Sequence, residues 1–362
     1  MSMLVNSSWV YSHAPTVTSS SADIYELISK GEIDPLGEGM LLARTAYVSV
    51  MPLSKCDLEL PGNNSGAEEM GLPPRTKIGN SPNCDSVLEV LESTSADYSR
   101  GDLLSHFGSV SAYQVLRADG SDNVSRRPPM KLPRGIPPEQ WLSIMTVGTG
   151  ATSYLAVEDT DCGKVDEPYD QRTVLITSAA GTVGLVAGQL YKNKGCRVIG
   201  VTSTKDKADR LLDFGFDAAI AYKTDDLSGR LKDLAPGGID LIFDNVGAAQ
   251  LDTAMRHLKA RGKVLIVGCI AEMDGFISGD LHGCKSYILL PAKEITMGGF
   301  MVPAHLNRLP EALGQLGSML QEGKLKSAET VIKGPFSEWA ACMDKMMNGI
   351  SFGRMVLQVE AS

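Results

Sequence analysis

Ala179, Gly181 and Gly184 are spaced so that a chain can fold bare backbone around an anion. They lie in Ser178-Ala179-Ala180-Gly181-Thr182-Val183-Gly184, at the glycine positions of a G-x-G-x-x-G turn, with alanine replacing the first glycine. A turn with so few side chains lets a pyrophosphate approach backbone N–H groups at the positive end of the following helix. Taken alone the signal is weak, because many strand–helix loops carry such glycines for structural reasons. A second group of residues strengthens it. About 20 residues past the turn, an acidic side chain would hold the ribose 2′-hydroxyl of NAD. That place reads Thr202-Ser203-Thr204, with Lys205 and Lys207 just beyond. Hydroxyls and an ammonium ion suit a 2′-phosphate, so the pattern points to NADPH. The plainer alternative is a solvated lysine pair at a helix start.

The elements needed to position these residues are legible on either side. Thr173-Val174-Leu175-Ile176 reads as a short buried strand, Leu185 to Tyr191 as a helix, and Cys196 to Thr202 as a second strand. A helix from Lys207 to Phe214 closes on Gly215, and strands follow at Asp217 to Tyr222 and Ile239 to Phe243. Helices are expected at Leu227 to Leu234 and Ala249 to Leu258, and strands at Gly262 to Gly268 and Glu294 to Phe300. Strand and helix alternating at this spacing predict an α/β fold with a doubly wound parallel sheet.

Before Pro128-Pro129 and Pro137-Pro138 the pattern is different. Met40 to Val50, Ser86 to Glu92 and Ala112 to Leu116 are short strands separated by turns, which indicates an all-β lobe, a partly open barrel. A short amphipathic piece, Ala22 to Ile28, precedes them, and the loop-like residues 61–82 are rich in glycine and proline. The last strand, Gly353 to Val359, is expected to return to the first lobe. The domains are therefore drawn at 1–137 with 327–362, and at 138–326.

Composition limits the function. The chain has 362 residues, 43% hydrophobic and 21% charged, with a net charge of −9. That balance argues against a nucleic-acid surface and against anionic membranes. No apolar run approaches the roughly 18 residues of a membrane span, and no secretory signal is visible at Met1 to Ser8. The seven cysteines form no C-x-x-C pair, and the five histidines stand isolated in the sequence. Neither a disulfide framework nor a metal site is suggested, so metal-free chemistry in a reduced, cytoplasmic compartment is expected.

Ser178 to Gly184, Gly215-Phe216-Asp217-Ala218-Ala219, Ala221-Tyr222-Lys223-Thr224, Phe243-Asp244-Asn245-Val246-Gly247 and Met297-Gly298-Gly299-Phe300 together resemble the zinc-free medium-chain dehydrogenase/reductases. Within them the resemblance is to the NADP-dependent alkenal double-bond, prostaglandin and curcumin reductase branch, and it covers the chain from about residue 139 onward. It implies a GroES-like β-rich lobe plus a Rossmann domain. It places Ala180, Gly181, Thr182, Val183 and Gly184 along the pyrophosphate, and Lys207 and Tyr222 at the adenosine 2′-phosphate. It places Asn245, Gly268, Cys269, Ile270, Phe300, Met301 and Val302 on the nicotinamide side, with Thr152 near the carboxamide. In the C-terminal N-x-G-K element of the family, Ser351 stands for the asparagine and Arg354 for the lysine. The D-P-Y-M-R signature is replaced by Met51-Pro52-Leu53-Ser54-Lys55, and a tyrosine usual before the Met297 position by Ala292.

The resemblance implies NADPH-dependent hydride transfer to the activated C=C of an enone or enal. Tyr287 is the candidate proton donor, since a phenol stays protonated near neutrality. Relatives commonly dimerise through the last strand of the Rossmann sheet, so a homodimer is expected. The alternatives are a quinone reductase, a reductase tailored to one pathway step, or an NADPH-binding protein without catalysis.

Overall fold

The computed structural model describes residues 5–52, 58, 75–123, 127–159 and 168–360. The chain divides into two compact units, Met1–Leu142 with Glu329–Ser362, and Ser143–Ala328. In chain order the first unit supplies β1 (Val5–Tyr11), β2 (Tyr25–Glu32), β3 (Met40–Ser49), β4 (Asn83–Ser93), β5 (Leu103–Ser109), β6 (Tyr113–Arg117) and β7 (Met130–Lys131). The second supplies β8 (Thr173–Ile176), β9 (Arg197–Thr202), β10 (Ala218–Ala221), β11 (Ile239–Asp244), β12 (Leu258–Ile266) and β13 (Thr296–Gly299). The chain then re-enters the first unit with β14 (Glu329–Gly334) and β15 (Arg354–Val359).

The first unit is a mixed sheet of order β14-β15-β3-β4-β5-β7, with β6 paired to β3 and a separate β1-β2 hairpin. β3, β4, β5 and β15 carry fully buried apolar residues on both faces of the sheet, Leu41, Leu88 and Leu104 in one cluster and Val87 and Val356 in another, all at 0% exposure. The hairpin is held by aromatic packing. Trp339, from the helix Trp339–Met347, lies 5.3 Å from Tyr25 in an edge-on contact and 6.0 Å from Trp9. Both ends of the chain thus share one core, which is why the last strand returns here. β1, β2, β5, β7 and β14 go beyond the strands expected from sequence. Ala22 to Ile28 is one helical turn, Ser21–Ile24, running directly into β2. Residues 61–74 of the expected loop and Leu53 to Lys55 lie outside the described residues.

The second unit is a six-stranded sheet of order β10-β9-β8-β11-β12-β13, parallel at every pairing. Sequence-adjacent strands run outward from β8 in one direction and from β11 in the other, so the order reverses between β8 and β11. In open α/β sheets that reversal opens a crevice at the carboxyl ends of the strands. β11 is buried at all six positions, as a central parallel strand covered on both faces must be. Several boundaries shift: the helix expected from Lys207 to Phe214 is Lys205–Leu212, and the helix Ala248–Arg256 stops before Leu258, where β12 already begins. His257 occupies the C-cap, and its backbone is fixed by pairing of Ile239 N–H to its carbonyl at 2.9 Å. The β-rich lobe and the parallel sheet are the GroES-like and Rossmann parts that the family resemblance implied.

Candidate active site at the carboxyl ends of the parallel sheet

The Gly-rich turn leaves β8 and passes into the helix Thr182–Asn193. Ser178 takes φ 49°, and Gly181 N–H closes the turn on the Ser178 carbonyl at 2.9 Å. Gly184 has no room for a side chain. A Cβ there would stand 2.6 Å from the Ser178 carbonyl oxygen and 2.9 Å from the Ala179 Cα. At Gly181 a Cβ would crowd the Ser178 hydroxyl and carbonyl at 3.1 and 3.2 Å. Gly181 is the N-cap, and no side chain caps the helix. The amides of Thr182, Val183 and Gly184 therefore lack intrahelical acceptors, the arrangement that accepts an anion. Ala179 and Ala180 are buried beneath the turn.

At the end of β9, Thr202 is buried and Ser203 partly so, and the helix Lys205–Leu212 begins under the hydroxyl of Thr204. Lys207 sits on the first turn of that helix and is only 8% exposed, unusual for a lysine. Burial lowers its pKa, and repulsion from Lys223 and Arg210 lowers it further. Lys223, Arg210 and, with the opposite sign, Asp206 all act on Lys207, and the end of β9 itself, Thr202-Ser203-Thr204, carries no carboxylate. Tyr222, just past β10, is exposed, and its N–H donates to the Thr202 carbonyl at 2.9 Å.

The opposite side of the crevice is built around Asp244, the last residue of β11 and fully buried. Its carboxylate accepts from the Thr177 hydroxyl at 2.7 Å, from Gly247 N–H at 2.8 Å and from Val246 N–H at 3.3 Å. Burial raises its pKa against these three hydrogen bonds. Asn245 donates through its side-chain amide to the Thr177 carbonyl at 2.8 Å, and its backbone N–H donates to the Thr177 hydroxyl at 2.8 Å. Gly247 holds φ 75° and ψ −157°, a conformation for glycine only. Gly268 N–H and Ile270 N–H reach back to the Asp244 and Asn245 carbonyls at 3.1 and 3.3 Å. Asn245, Gly268, Cys269 and Ile270 are thereby brought into one cluster; Cys269 is exposed as a residue, while desolvation of its thiol, with Glu272 and Asp244 nearby, raises its pKa.

Thr152 follows a π-helical turn, Val147–Ala151, and its hydroxyl donates to the Val147 carbonyl at 2.8 Å. Next to it, the Ser153 hydroxyl donates to the Val183 carbonyl at 3.0 Å, tying this segment to the Gly-rich turn. Phe300 follows β13 and is fastened by its N–H to the Ile266 carbonyl at 2.9 Å. It is buried, whereas Met301 is 54% exposed and Val302 is intermediate. Tyr287 is 65% exposed, and its side chain stands in solvent. Ser351 belongs to the first unit, where Arg354 turns inward to pair with buried Asp85 at 3.1 Å.

Sequence reading missed the histidines. It took all five as isolated, but His282 Nε2 lies 3.0 Å from Asp252 and His305 Nδ1 lies 3.0 Å from Asp159. The partners are 30 and 146 residues away in sequence, so no local spacing could have revealed them. Among the described residues, no three His, Cys, Asp or Glu are grouped to hold a metal, and no helix is long and apolar enough to cross a membrane.

Residues 182–318 match the zinc-binding dehydrogenase family. Prostaglandin reductase 1 of Oryctolagus cuniculus is 31% identical over 326 residues, covering 89% of this chain and 85% of the relative. The chain belongs to the medium-chain dehydrogenase/reductase family, in its zinc-free, NADP-dependent branch. Among members of this family, the NADP-dependent oxidoreductase RED1 of Cochliobolus heterostrophus is 29% identical, over 90% of this chain and 88% of its own. The fold is that of CurA from Vibrio vulnificus, solved in complex with NADPH, with a TM-score of 0.82, 23% identity and coverage of 98% and 100% of the two chains. As a medium-chain reductase, the protein is an NADP-dependent oxidoreductase.

Proposed function

We propose that the protein reduces the activated C=C of an α,β-unsaturated carbonyl compound at the expense of NADPH. The observation that carries this reading is its relation, along 89% of its length, to prostaglandin reductase 1. In this assignment the amides of Thr182, Val183 and Gly184 bind the pyrophosphate, with Ala180 and Gly181 allowing its approach. Thr202, Ser203, Lys207 and Tyr222 receive the adenosine 2′-phosphate, Lys207 supplying a positive charge that is already partly dehydrated. Asn245, Gly268, Cys269, Ile270, Phe300, Met301 and Val302 line the nicotinamide end, and Thr152 sits at its carboxamide.

When bound, NADPH supplies the hydride. The chain's own part is to hold donor and alkene at contact distance, which can account for roughly 7–11 kcal/mol of barrier lowering. Hydrogen-bond donors fixed near the substrate carbonyl would stabilise the negative charge that develops there. The Asp244 cluster serves this rigidity, since every polar atom of its carboxylate is engaged by backbone or Thr177. Among the described residues β13 has a neighbour on one side only, and a second copy joined along that edge would give a homodimer. A cytoplasmic protein acting on small molecules, without nucleic acid or membrane partners, completes the reading.

The test is NADPH consumption against a panel of enals, enones and quinones. Turnover confined to the unsaturated carbonyls is expected. Turnover of quinones alone, or NADPH binding with no turnover on any member, would refute the assignment.

A further inference from the structure

Polar clusters outside the coenzyme cradle just described include Asp252 with His282 and Cys284, the inward pair Arg354–Asp85, and the group around His305. The last is the one placed at the carboxyl edge of the parallel sheet. It begins where β13 ends. Phe300 is locked to β12 through the Ile266 carbonyl, and the chain then turns through Val302–Arg308. At His305 the backbone leaves helical geometry, with φ −122° and ψ 17°. That break lays the imidazole on the Phe300 ring, with centroids 4.8 Å apart and planes 16° from parallel. The imidazole therefore covers the aromatic ring that the family resemblance put on the nicotinamide side.

The ring is also fixed along its edge. Nδ1 lies 3.0 Å from Asp159, at the end of the helix Thr152–Asp159. A carboxylate can only accept, so Nδ1 carries the hydrogen. Asp159 is held in turn by Arg308, and Arg308 grips Glu311 with Nε and Nη2, both at 3.1 Å. One face of the ring is thus on Phe300 and one nitrogen is on Asp159. The side chain is 31% exposed, and among the described residues Nε2 makes no hydrogen bond. The charged and titratable groups facing this region are accounted for on each packed element. On Thr152–Asp159 they are Asp159, Tyr154 and Glu158, the last paired with Lys194 at 2.8 Å. On Leu309–Gln321 it is Glu311, and on the segment of His305 itself it is Arg308.

We propose that His305, oriented by Asp159 and Phe300, is the acid that completes the reduction. This rests on the ene-reductase reading above. Hydride adds to the β-carbon, forming a C–H bond, and the C=C π pair moves to the α-carbon and carbonyl oxygen. The Nε2–H bond of the imidazolium then breaks, its proton joins the α-carbon, and the neutral ring is reprotonated from water at its exposed edge. The coenzyme is oxidised by two electrons and the alkene is reduced by two. The geometry matches an imidazole whose tautomer is set by a carboxylate on its other nitrogen. Tyr287 is not needed for this step.

The experiment compares the wild type with His305→Gln and Asp159→Asn, using an enone that the wild type turns over. NADPH affinity, read by tryptophan quenching, is expected to stay the same in all three proteins. In His305→Gln, kcat should fall by about 10²-fold or more, lose the pH limb set by the imidazole and gain a solvent deuterium isotope effect. Added imidazole should restore part of the rate in His305→Ala. Asp159→Asn should lower kcat less and displace the same limb. Independently of turnover, the Nε2 resonance of ¹⁵N-histidine-labelled protein, assigned by its loss in His305→Gln, should shift when the saturated ketone is added with NADP⁺. A His305→Gln enzyme with wild-type kcat, pH profile and isotope effect overturns the proposal, as does a change confined to KM or a resonance unmoved by the ketone. Absence of wild-type turnover with every enone would remove the ene-reductase reading instead.

Discussion

Ala179 and Gly200 are fitted to one another across the Gly-rich turn: a methyl placed on Gly200 would lie 2.9 Å from the Ala179 Cβ. The first glycine of the nucleotide turn is thus replaced by alanine, and the space that its methyl needs is found at Gly200 in β9. Leu211 and Phe216 close the same pocket, at 2.8 and 3.0 Å from that position. Gly200→Ala should overpack it and cost about 1–3 kcal/mol, read as a lower urea midpoint. Adding Ala179→Gly should recover part of the loss. An equal midpoint for the single and double variants would separate the two residues.

Lys207 carries the second prediction. Its pKa is lowered by burial first and by Lys223 and Arg210 next, so it loses its proton at a lower pH than an exposed lysine. A 2′-phosphate favours the ammonium form and draws the proton back. NADPH binding should therefore take up protons on the alkaline side and weaken as pH rises, while NADH binding should do neither. Lys207→Ala should erase proton uptake and reduce the preference for NADPH by about 10–100-fold, the loss of a charge-assisted hydrogen bond. Calorimetry in buffers of different ionisation enthalpy measures both effects. A wild-type preference retained in Lys207→Ala would remove the phosphate assignment.

How much of this was readable follows from which interactions are local. The turn at 178–184 and the run Thr202 to Lys207 announce themselves because a nucleotide turn is built from contiguous residues. β8 to β13 are legible for the same reason, each being a short apolar run closed by glycine, proline or a charged helix. β1 and β2 are not, since Trp9 and Tyr25 find their burial on Trp339, more than 300 residues away in sequence. The Asp244 cluster was visible only in part. Asn245 and Gly247 stood out, but the carboxylate that organises them takes its hydroxyl partner from Thr177, 67 residues earlier. Phe300 is reached through the family resemblance of Met297-Gly298-Gly299-Phe300, while His305 carries no local signal because its carboxylate partner is in a distant helix. In each case a feature was missed when its meaning lay in a long-range pairing.

Asp244 and Gly247 yield a third prediction with two distinct signatures. Asp244→Ala would leave the Thr177 hydroxyl and the N–H groups of Val246 and Gly247 without their acceptor in a fully buried place. A loss of roughly 2–4 kcal/mol is expected, more than a single neutral hydrogen bond, because several donors are orphaned together. Gly247→Ala should cost about 1–3 kcal/mol through backbone strain alone, since a Cβ there meets nothing nearer than 3.6 Å. Denaturation midpoints give both values. A neutral Gly247→Ala would show that the chain can relax out of φ 75°, and with it that the Asp244 cap does not fix the turn.

His106, in β5, makes the stability of the first unit depend on acid. Its imidazole is 5% exposed, and burial pushes its pKa down from 6.5 to about 4, against opposing influences from Asp122 and the Gln114 side chain. The folded protein therefore holds it neutral where the unfolded chain would already be protonated. Above pH 6.5 neither state binds the proton, and the full stability is present. As the pH falls from 6.5 toward about 4, the unfolded state gains a proton that the folded state refuses, and stability declines. The loss should approach roughly 3 kcal/mol at the lower end, at about 1.4 kcal/mol per pKa unit. His106→Gln keeps the size and polarity but cannot titrate. Its unfolding free energy should accordingly fall less than that of the wild type across the same window, by about the same amount. Parallel slopes for the two proteins in urea titrations at stepped pH would mean that His106 is not the residue that refuses the proton.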